Sequence, residues 1–141
     1  MSDRYEQFLA GERHDDVALY LSDAVVSDVE TLADRDDAVR AGDGVVLVVD
    51  GDRGRSVFKK LTGSDAMEFA QGAMERDGRV HRDLTGGDCP DADDDAHDAR
   101  FVFAFSEAQN EEVGGLYEEG PVMHAYVQCA CGATYSERWV V

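Results

Sequence analysis

The first 42 residues predict helices, because their apolar positions recur at spacings of three and four. A short opening helix would place Tyr5, Phe8 and Leu9 on one face and end at Gly11. A second stripe of the same spacing predicts another helix, although residues 17–21 alone could form a strand. Its apolar positions are Val17, Tyr20, Leu21 and Ala24.

A capping-box pattern predicts where a third helix begins. Ser27 and Glu30 have the spacing at which each side chain can accept from the other residue's backbone N–H. The helix would begin at Asp28 and end near Gly42. Its core-facing positions would be Val29, Leu32 and Ala33.

The pattern then changes to that of strands. A β-branched run over residues 45–49 is followed by Asp50, Gly51 and Gly54, and a second apolar stretch contains Val57 and Phe58. Turn-forming residues between two such runs predict a hairpin. The next helix would be capped by Ser64, and its apolar face would consist of Met67, Ala70 and Met74.

The last part of the chain predicts an acidic loop and three strands. Residues 85–98 are rich in Gly and Asp and contain little that could be buried. Strands are expected over residues 101–106, 122–128 and 134–141, the last two joined by a turn at 129–132. The aromatic residues expected in the core or at an interface are Phe101, Phe103, Phe105, Tyr126 and Trp139.

This order of elements favours an α+β fold over alternating βαβ units. With 141 residues, of which 43% are apolar, the chain is long enough for one hydrophobic core. We therefore expect residues 1–141 to form a single compact domain. Its N-terminal helices would pack on an antiparallel sheet.

Charge indicates where the protein works. The chain contains 31 Asp and Glu against 13 Lys and Arg, for a net charge of −18. Such self-repulsion destabilises a fold in dilute buffer, whereas molar salt shortens the Debye length to about 3 Å. The polar first residues predict no secretory signal, and no apolar run approaches the roughly 20 residues of a membrane helix. We expect a cytoplasmic protein of an extreme halophile that does not bind membranes.

Three cysteines form the candidate metal site. Cys129 and Cys131 flank a single residue and are followed by glycine, which resembles half of a zinc knuckle, and Cys89 would be a third ligand. His124, His97 or His81 could complete a tetrahedral zinc site, with His124 the first choice. On a regular strand, however, His124 and Cys129 point to opposite faces, so a bulge or a different histidine would be needed.

Two other interpretations of the cysteines stay open. Most zinc knuckles have two residues between their cysteines, so these thiols could instead be small buried hydrophobes on one strand. The close pair of Cys129 and Cys131 could also perform thiol redox chemistry.

Basic residues are concentrated in one segment. Residues 53–82 contain seven bases and four acids, whereas the rest of the chain is strongly acidic. The candidate contacts for an anionic partner are Arg53, Arg55, Lys59 and Lys60. Molar salt weakens phosphate binding, so nucleic acid is disfavoured and pairing with the protein's own carboxylates is favoured.

Several stretches resemble an uncharacterised family of small haloarchaeal proteins. They are VVLVVDGDRGRS, DLTGGDCPDADDD, EAQNEEVGGLYEEG and HAYVQCACGATYSERWVV. The resemblance covers most of the chain and implies a halophilic archaeal origin, but no chemistry.

The motifs of nucleotide-binding loops, zinc proteases and serine hydrolases are absent from the sequence. We therefore expect a non-catalytic interaction or regulatory module, which could contain one structural zinc and whose partner would be another protein. The alternative is a small thiol-dependent redox enzyme that uses Cys129 and Cys131.

Overall fold

The structure is a computed structural model that describes residues 2–23, 25, 34, 38–41, 44–63, 65–89, 99–110 and 112–141. In chain order its elements are α1 (Ser2–Leu9), β1 (Asp16–Leu21), β2 (Ala38–Ala41), β3 (Gly44–Asp50), α2 (Gly51–Thr62), α3 (Ala66–Ala73), β4 (Arg79–Val80), β5 (Gly87–Asp88), β6 (Ala99–Glu107), α4 (Leu116–Glu119), β7 (Val122–Cys129) and β8 (Thr134–Val140). None of the helices in this part of the chain is long and apolar enough to cross a membrane.

A six-stranded sheet forms the centre of the molecule. Its strand order is β2-β3-β1-β6-β7-β8, and every neighbouring pair is antiparallel. The short strands β4 and β5 pair separately as a two-stranded ribbon. This is a compact α+β arrangement, although most helices follow strands rather than precede the sheet.

Each face of the sheet is covered by different elements. Helices α2 and α3 cover one face, here called the helix face, which includes Leu19, Leu47 and Phe103. Helix α1 and the β4–β5 ribbon cover the other, here called the ribbon face, which includes Ala18 and Val127. Side chains alternate between the two faces along each strand, so neighbouring residues enter different cores.

Aromatic rings fill the core of the helix face. The ring of Phe58 on α2 lies 5.1 Å from Phe101, 5.5 Å from Phe103 and 5.6 Å from Phe69. Edge-to-face pairs at these separations are favourable beyond their buried area. The predictions that Phe101, Phe103 and Tyr126 would be core residues are confirmed, since each is at most 5% exposed. Phe105 and Trp139 are half-buried.

The second predicted helix is wrong, because residues 16–21 form β1. All six of its residues are buried. A central strand covered on both faces shows no alternation of polar and apolar positions. Its buried residues therefore also match the spacing of three and four that is typical of a helix. The alternative that residues 17–21 form a strand is the one observed.

The predicted hairpin is also wrong: β3 is followed directly by α2. Asp50 caps the helix by accepting a hydrogen bond from the backbone N–H of Arg53, and Gly63 ends it with φ of 77°. Gly54 serves close packing rather than a turn. A Cβ at Gly54 would lie 2.1 Å from Cγ2 of Val17, so the glycine lets α2 approach β1 directly.

Helix α3 is capped by Asp65, whose side chain accepts hydrogen bonds from the N–H groups of Met67 and Glu68. Ser64, the predicted cap, lies outside the described residues. Ala70 is buried as expected, but Met67 and Met74 are 49% and 61% exposed. The buried face of α3 consists of alanines instead: Ala66, Ala70 and Ala73.

The other predictions have mixed outcomes. The opening helix and the three late strands are confirmed. The third helix cannot extend to Gly42, since residues 38–41 form β2, and its predicted beginning lies outside the described residues. Residues 87–88 of the predicted acidic loop form β5, and residues 90–98 lie outside the described part.

Candidate metal centre

The structure brings all three cysteines together. Their Sγ atoms lie within 4.8 Å of one another, and those of Cys89 and Cys131 are 3.8 Å apart. Cys89 directly follows β5, Cys129 ends β7, and Cys131 lies in the turn between β7 and β8. Cys89 and Cys129 are buried, and Cys131 is exposed. The site lies on the ribbon face, where β4 contacts β7 and β8.

The turn that presents two of the cysteines is tight. The backbone N–H of Cys129 donates to the carbonyl of Ala133 at 2.8 Å, and that of Gly132 donates to the carbonyl of Cys129 at 2.9 Å. Gly132 has φ of 96°, a conformation that favours glycine. A one-residue spacing can therefore bring Cys129 and Cys131 to one point.

The sulfur geometry fits a thiolate-bound metal ion. Two thiolates at about 2.3 Å from a tetrahedral zinc ion lie roughly 3.8 Å apart. The Sγ atoms of Cys89 and Cys131 already have this separation. Cys129 lies within 4.8 Å of both, so a small shift would complete a three-sulfur site.

The environment of Cys129 favours its protonated thiol when no cation is present. Burial raises the pKa of the Cys129 thiol to about 11, and the neighbouring sulfurs of Cys131 and Cys89 contribute to this rise. Tyr135 is fully buried beside the cluster, and burial raises the pKa of its hydroxyl too. A divalent cation would reverse this balance, since it deprotonates the thiols that coordinate it.

His124 is not part of this group, so its assignment as the fourth ligand is not supported. Its Nε2 lies 3.1 Å from Oε1 of Glu107 and 3.3 Å from the hydroxyl of Tyr117. His124 and Phe105 stack on the helix face, whereas Cys129 lies on the ribbon face. Strand β7 has no bulge against β8 that would bring the two residues to one face.

Of the other two candidate histidines, the structure describes His81, which does not complete the group. His81 lies next to Asp88, with Nε2 3.6 Å from Oδ1, and is half exposed. His97 lies outside the described residues. Within the described ranges, the group that could hold a metal contains sulfur ligands alone.

The candidate anion contacts lie on a helix rather than on a hairpin. Arg53, Arg55, Lys59 and Lys60 are exposed residues of α2. Arg55 forms an ion pair with Asp52 at 2.5 Å, in keeping with internal pairing. The lysines lie in the last turn of α2, where positive charge stabilises the helix dipole. Contact with an anionic partner stays a prediction.

The helix face contains a groove that no single sequence pattern indicates. It has a volume of about 650 Å³ and lies between α3 and the part of the sheet that contains His124. Its walls come from α3, β6, α4, β7 and β8, so no spacing within one segment could indicate it. The sequence signal for the groove was the pair of methionines on α3, Met67 and Met74. Their helical spacing is also typical of core residues, and it predicts that they are buried.

No curated protein and no solved structure matches this chain. Residues 38–141 match a family of unknown function, DUF5807, and this range includes all three cysteines. Because the match covers well over half of the sequence, the chain belongs to this family of unknown function.

Proposed function

We propose that this protein is a non-catalytic interaction or regulatory module of a halophilic cytoplasm, with one structural zinc ion bound by Cys89, Cys129 and Cys131. The observation that carries the proposal is the convergence of three sulfur atoms from two separate parts of the chain. Soft thiolate ligands select zinc over the harder cations of the cell.

A zinc ion here would join the β4–β5 ribbon to the turn between β7 and β8. The ribbon has only two residues in each strand, so backbone pairing alone holds it weakly. Binding energy of a structural zinc contributes directly to folding. Cys131 lies at the surface, so a bound ion would be within reach of a fourth ligand from solvent or from a partner.

A redox enzyme is the second candidate. The 3.8 Å separation of the Cys89 and Cys131 sulfurs and the exposure of Cys131 favour it. The raised pKa of Cys129 counts against it, because the thiolate is the reactive form. A redox pair of Cys129 and Cys131 would therefore begin with a poor nucleophile at Cys129.

We propose a protein as the partner and α2 as the contact surface. Replacement of Arg53, Arg55, Lys59 and Lys60 by Gln should remove binding of an acidic partner without unfolding the chain, because all four are exposed. Retention on immobilised nucleic acid is the competing outcome. If wild-type protein binds DNA in salt that keeps it folded, and the variant does not, the partner assignment is wrong.

Metal analysis tests the zinc proposal. Protein purified in molar KCl under reducing conditions should contain about one zinc per chain. Cys89→Ser, Cys129→Ser and Cys131→Ser should each lose most of the metal. His124→Gln is the matched control and should retain it, because His124 lies outside the sulfur group. Folded, reduced wild-type protein that takes up no zinc when it is added would overturn the proposal.

A further inference from the structure

The groove on the helix face has the size of a small-molecule site. Its volume of about 650 Å³ lies within the roughly 300 to 1,000 Å³ typical of such sites. Helix α3 forms one wall, α4 contributes Tyr117, and the floor is formed by β6, β7 and β8. The sulfur cluster lies on the opposite face of the sheet, so the two sites are independent.

The floor of the groove is aromatic. The rings of Phe105 and His124 lie 4.9 Å apart at 22°, and those of Phe105 and Tyr126 lie 6.0 Å apart at 28°. These residues come from the paired strands β6 and β7, where Phe105 is directly opposite His124. Rings that stack on one another cover each other's faces, so a further ring would pack against their edges in the edge-to-face arrangement.

The wall supplies exposed thioethers. The exposed large hydrophobic residues of the described ranges are Met67, Met74, Val113 and Val141. Two of these, Met67 and Met74, line the groove from α3. Methionine sulfur packs favourably against aromatic rings, and its flexible chain adapts to different shapes. Half of the exposed large hydrophobic residues of the described ranges therefore line this groove.

The charges of the groove favour a cation. Glu107 and Asp77 contribute two carboxylates, and Arg138 contributes the opposing positive charge. Glu137 is engaged elsewhere, since its Oε1 accepts from Arg82 at 2.9 Å. The carboxylate of Glu107 is 49% exposed, so it can reach both His124 and a ligand.

His124 does not neutralise this negative charge at neutral pH. Burial lowers its pKa from the usual 6.5; the Glu107 carboxylate opposes this effect, and the Arg138 guanidinium adds to it. A carboxylate only accepts hydrogen bonds, so Nε2 carries the proton of the neutral ring and donates to Glu107. The groove therefore keeps a net negative charge beside its aromatic floor.

From this combination we propose that the groove binds a small planar aromatic molecule that carries a protonated amine. The ring would pack edge-to-face against Phe105 and His124 under the methionines of α3, and the ammonium group would lie against Glu107. An aromatic carboxylate could pair with Arg138 but would be repelled by both Glu107 and Asp77. An aliphatic amine would leave the aromatic floor unused.

Three probes separate these contributions. Tryptamine has both the ring and the ammonium group, indole-3-propionate has the ring with a negative charge, and hexylamine has the ammonium group without a ring. Titrations in molar KCl, followed by NMR or calorimetry, should show saturable binding of tryptamine. Both other probes should bind at least about tenfold more weakly. High salt and hexylamine together control for general attraction of cations to an acidic protein.

Matched variants locate the site. Met67→Gln combined with Met74→Gln should weaken tryptamine binding about two- to tenfold, whereas Val113→Gln should not change it. Glu107→Gln should weaken it about two- to fivefold, with exposed Glu112→Gln as the control. Circular dichroism confirms that each variant is folded. Equal binding of tryptamine and hexylamine, or equal effects of the groove and control variants, would overturn the proposal.

Discussion

The Sγ atoms of Cys89 and Cys131 lie 3.8 Å apart although the two residues are 42 positions apart in the chain. Contacts of this separation close a long loop and are entropically costly to form. Here the β4–β5 ribbon places Cys89 on the ribbon face, and the turn after β7 places Cys131 beside it. An ion shared by both sulfurs would hold together two elements that are joined by few backbone hydrogen bonds.

Removal of the metal should destabilise this part of the molecule. We expect a strong chelator to lower the thermal midpoint of wild-type protein, because structural zinc contributes its binding free energy to folding. The Cys89→Ser variant should begin at the lower midpoint and not respond to chelator. The measurement is thermal unfolding in molar KCl with and without chelator.

The buried-thiol alternative gives a different pattern. In that case the chelator changes nothing in either protein, and Cys89→Ser costs only about 1 to 3 kcal/mol of unfolding free energy. A chelator-insensitive midpoint in protein that was loaded with zinc beforehand would contradict a structural metal.

A second prediction concerns the contact between α2 and β1. Gly54→Ala should destabilise the fold by about 1 to 3 kcal/mol, because the new Cβ would lie 2.1 Å from Cγ2 of Val17. Gly72→Ala is the matched control in another helix. No atom lies within 4 Å of a Cβ built there, so better helix propensity should stabilise the protein by about 0.5 to 1 kcal/mol.

Chemical denaturation of both variants in the same salt provides the test. Opposite signs would confirm that Gly54 is required by close packing. A stabilising Gly54→Ala would mean that α2 does not lie against β1 as described.

These glycines show what the sequence could and could not predict. The late strands were predictable, because aromatic and β-branched residues cluster between clear turn residues. Strand β1 was mistaken for a helix because it is buried on both faces and has no alternation. Helix α2 was mistaken for a hairpin because Gly51 and Gly54 resemble turn residues. Local patterns do not show which glycine is needed by a neighbouring element.

The candidate site was predictable to a similar extent. The spacing of Cys129 and Cys131 already indicated a candidate pair of ligands. The alternation of side chains along a strand already argued against His124 as a further ligand, because it places His124 and Cys129 on opposite faces. The position of Cys89 beside this pair depends on how the β4–β5 ribbon packs. No local sequence pattern indicates that packing. The groove could not be predicted from local patterns either, because five separate elements contribute to it.

A third prediction concerns pH. Asp16 is 7% exposed and accepts hydrogen bonds from Nε of Arg4 at 3.1 Å and Nε of Arg13 at 2.6 Å. Burial alone would raise the pKa of this carboxyl, but the two arginines outweigh that effect and lower it below 3.8. The folded state therefore favours the ionised form, and the resulting stability is present above the unfolded pKa.

This stability should be lost as pH falls below about 4 and the carboxylate is protonated. Asp16→Asn should cost about 1 to 3 kcal/mol at neutral pH and reduce the loss of stability in acid. Asp52→Asn is the control, since Asp52 is 96% exposed and its ion pair with Arg55 lies at the surface. Denaturation at several pH values checks both. An Asp16→Asn variant with wild-type acid sensitivity would contradict the assigned role of Asp16.

The last prediction concerns salt. The chain of 141 residues contains thirty-one acidic residues, and we expect their carboxylates to lie close together on a small surface. Dilution from molar salt to about 0.1 M lengthens the Debye length from about 3 Å to roughly 10 Å, so repulsion that was screened acts between neighbours. We therefore expect the thermal midpoint to fall steeply on dilution of KCl.

Sucrose at low ionic strength is the control, because it favours compact states without screening charge. If sucrose restores the midpoint as well as KCl does, charge repulsion is not the cause. A midpoint that is constant from 3 M to 0.1 M KCl would remove the argument for a halophilic cytoplasm.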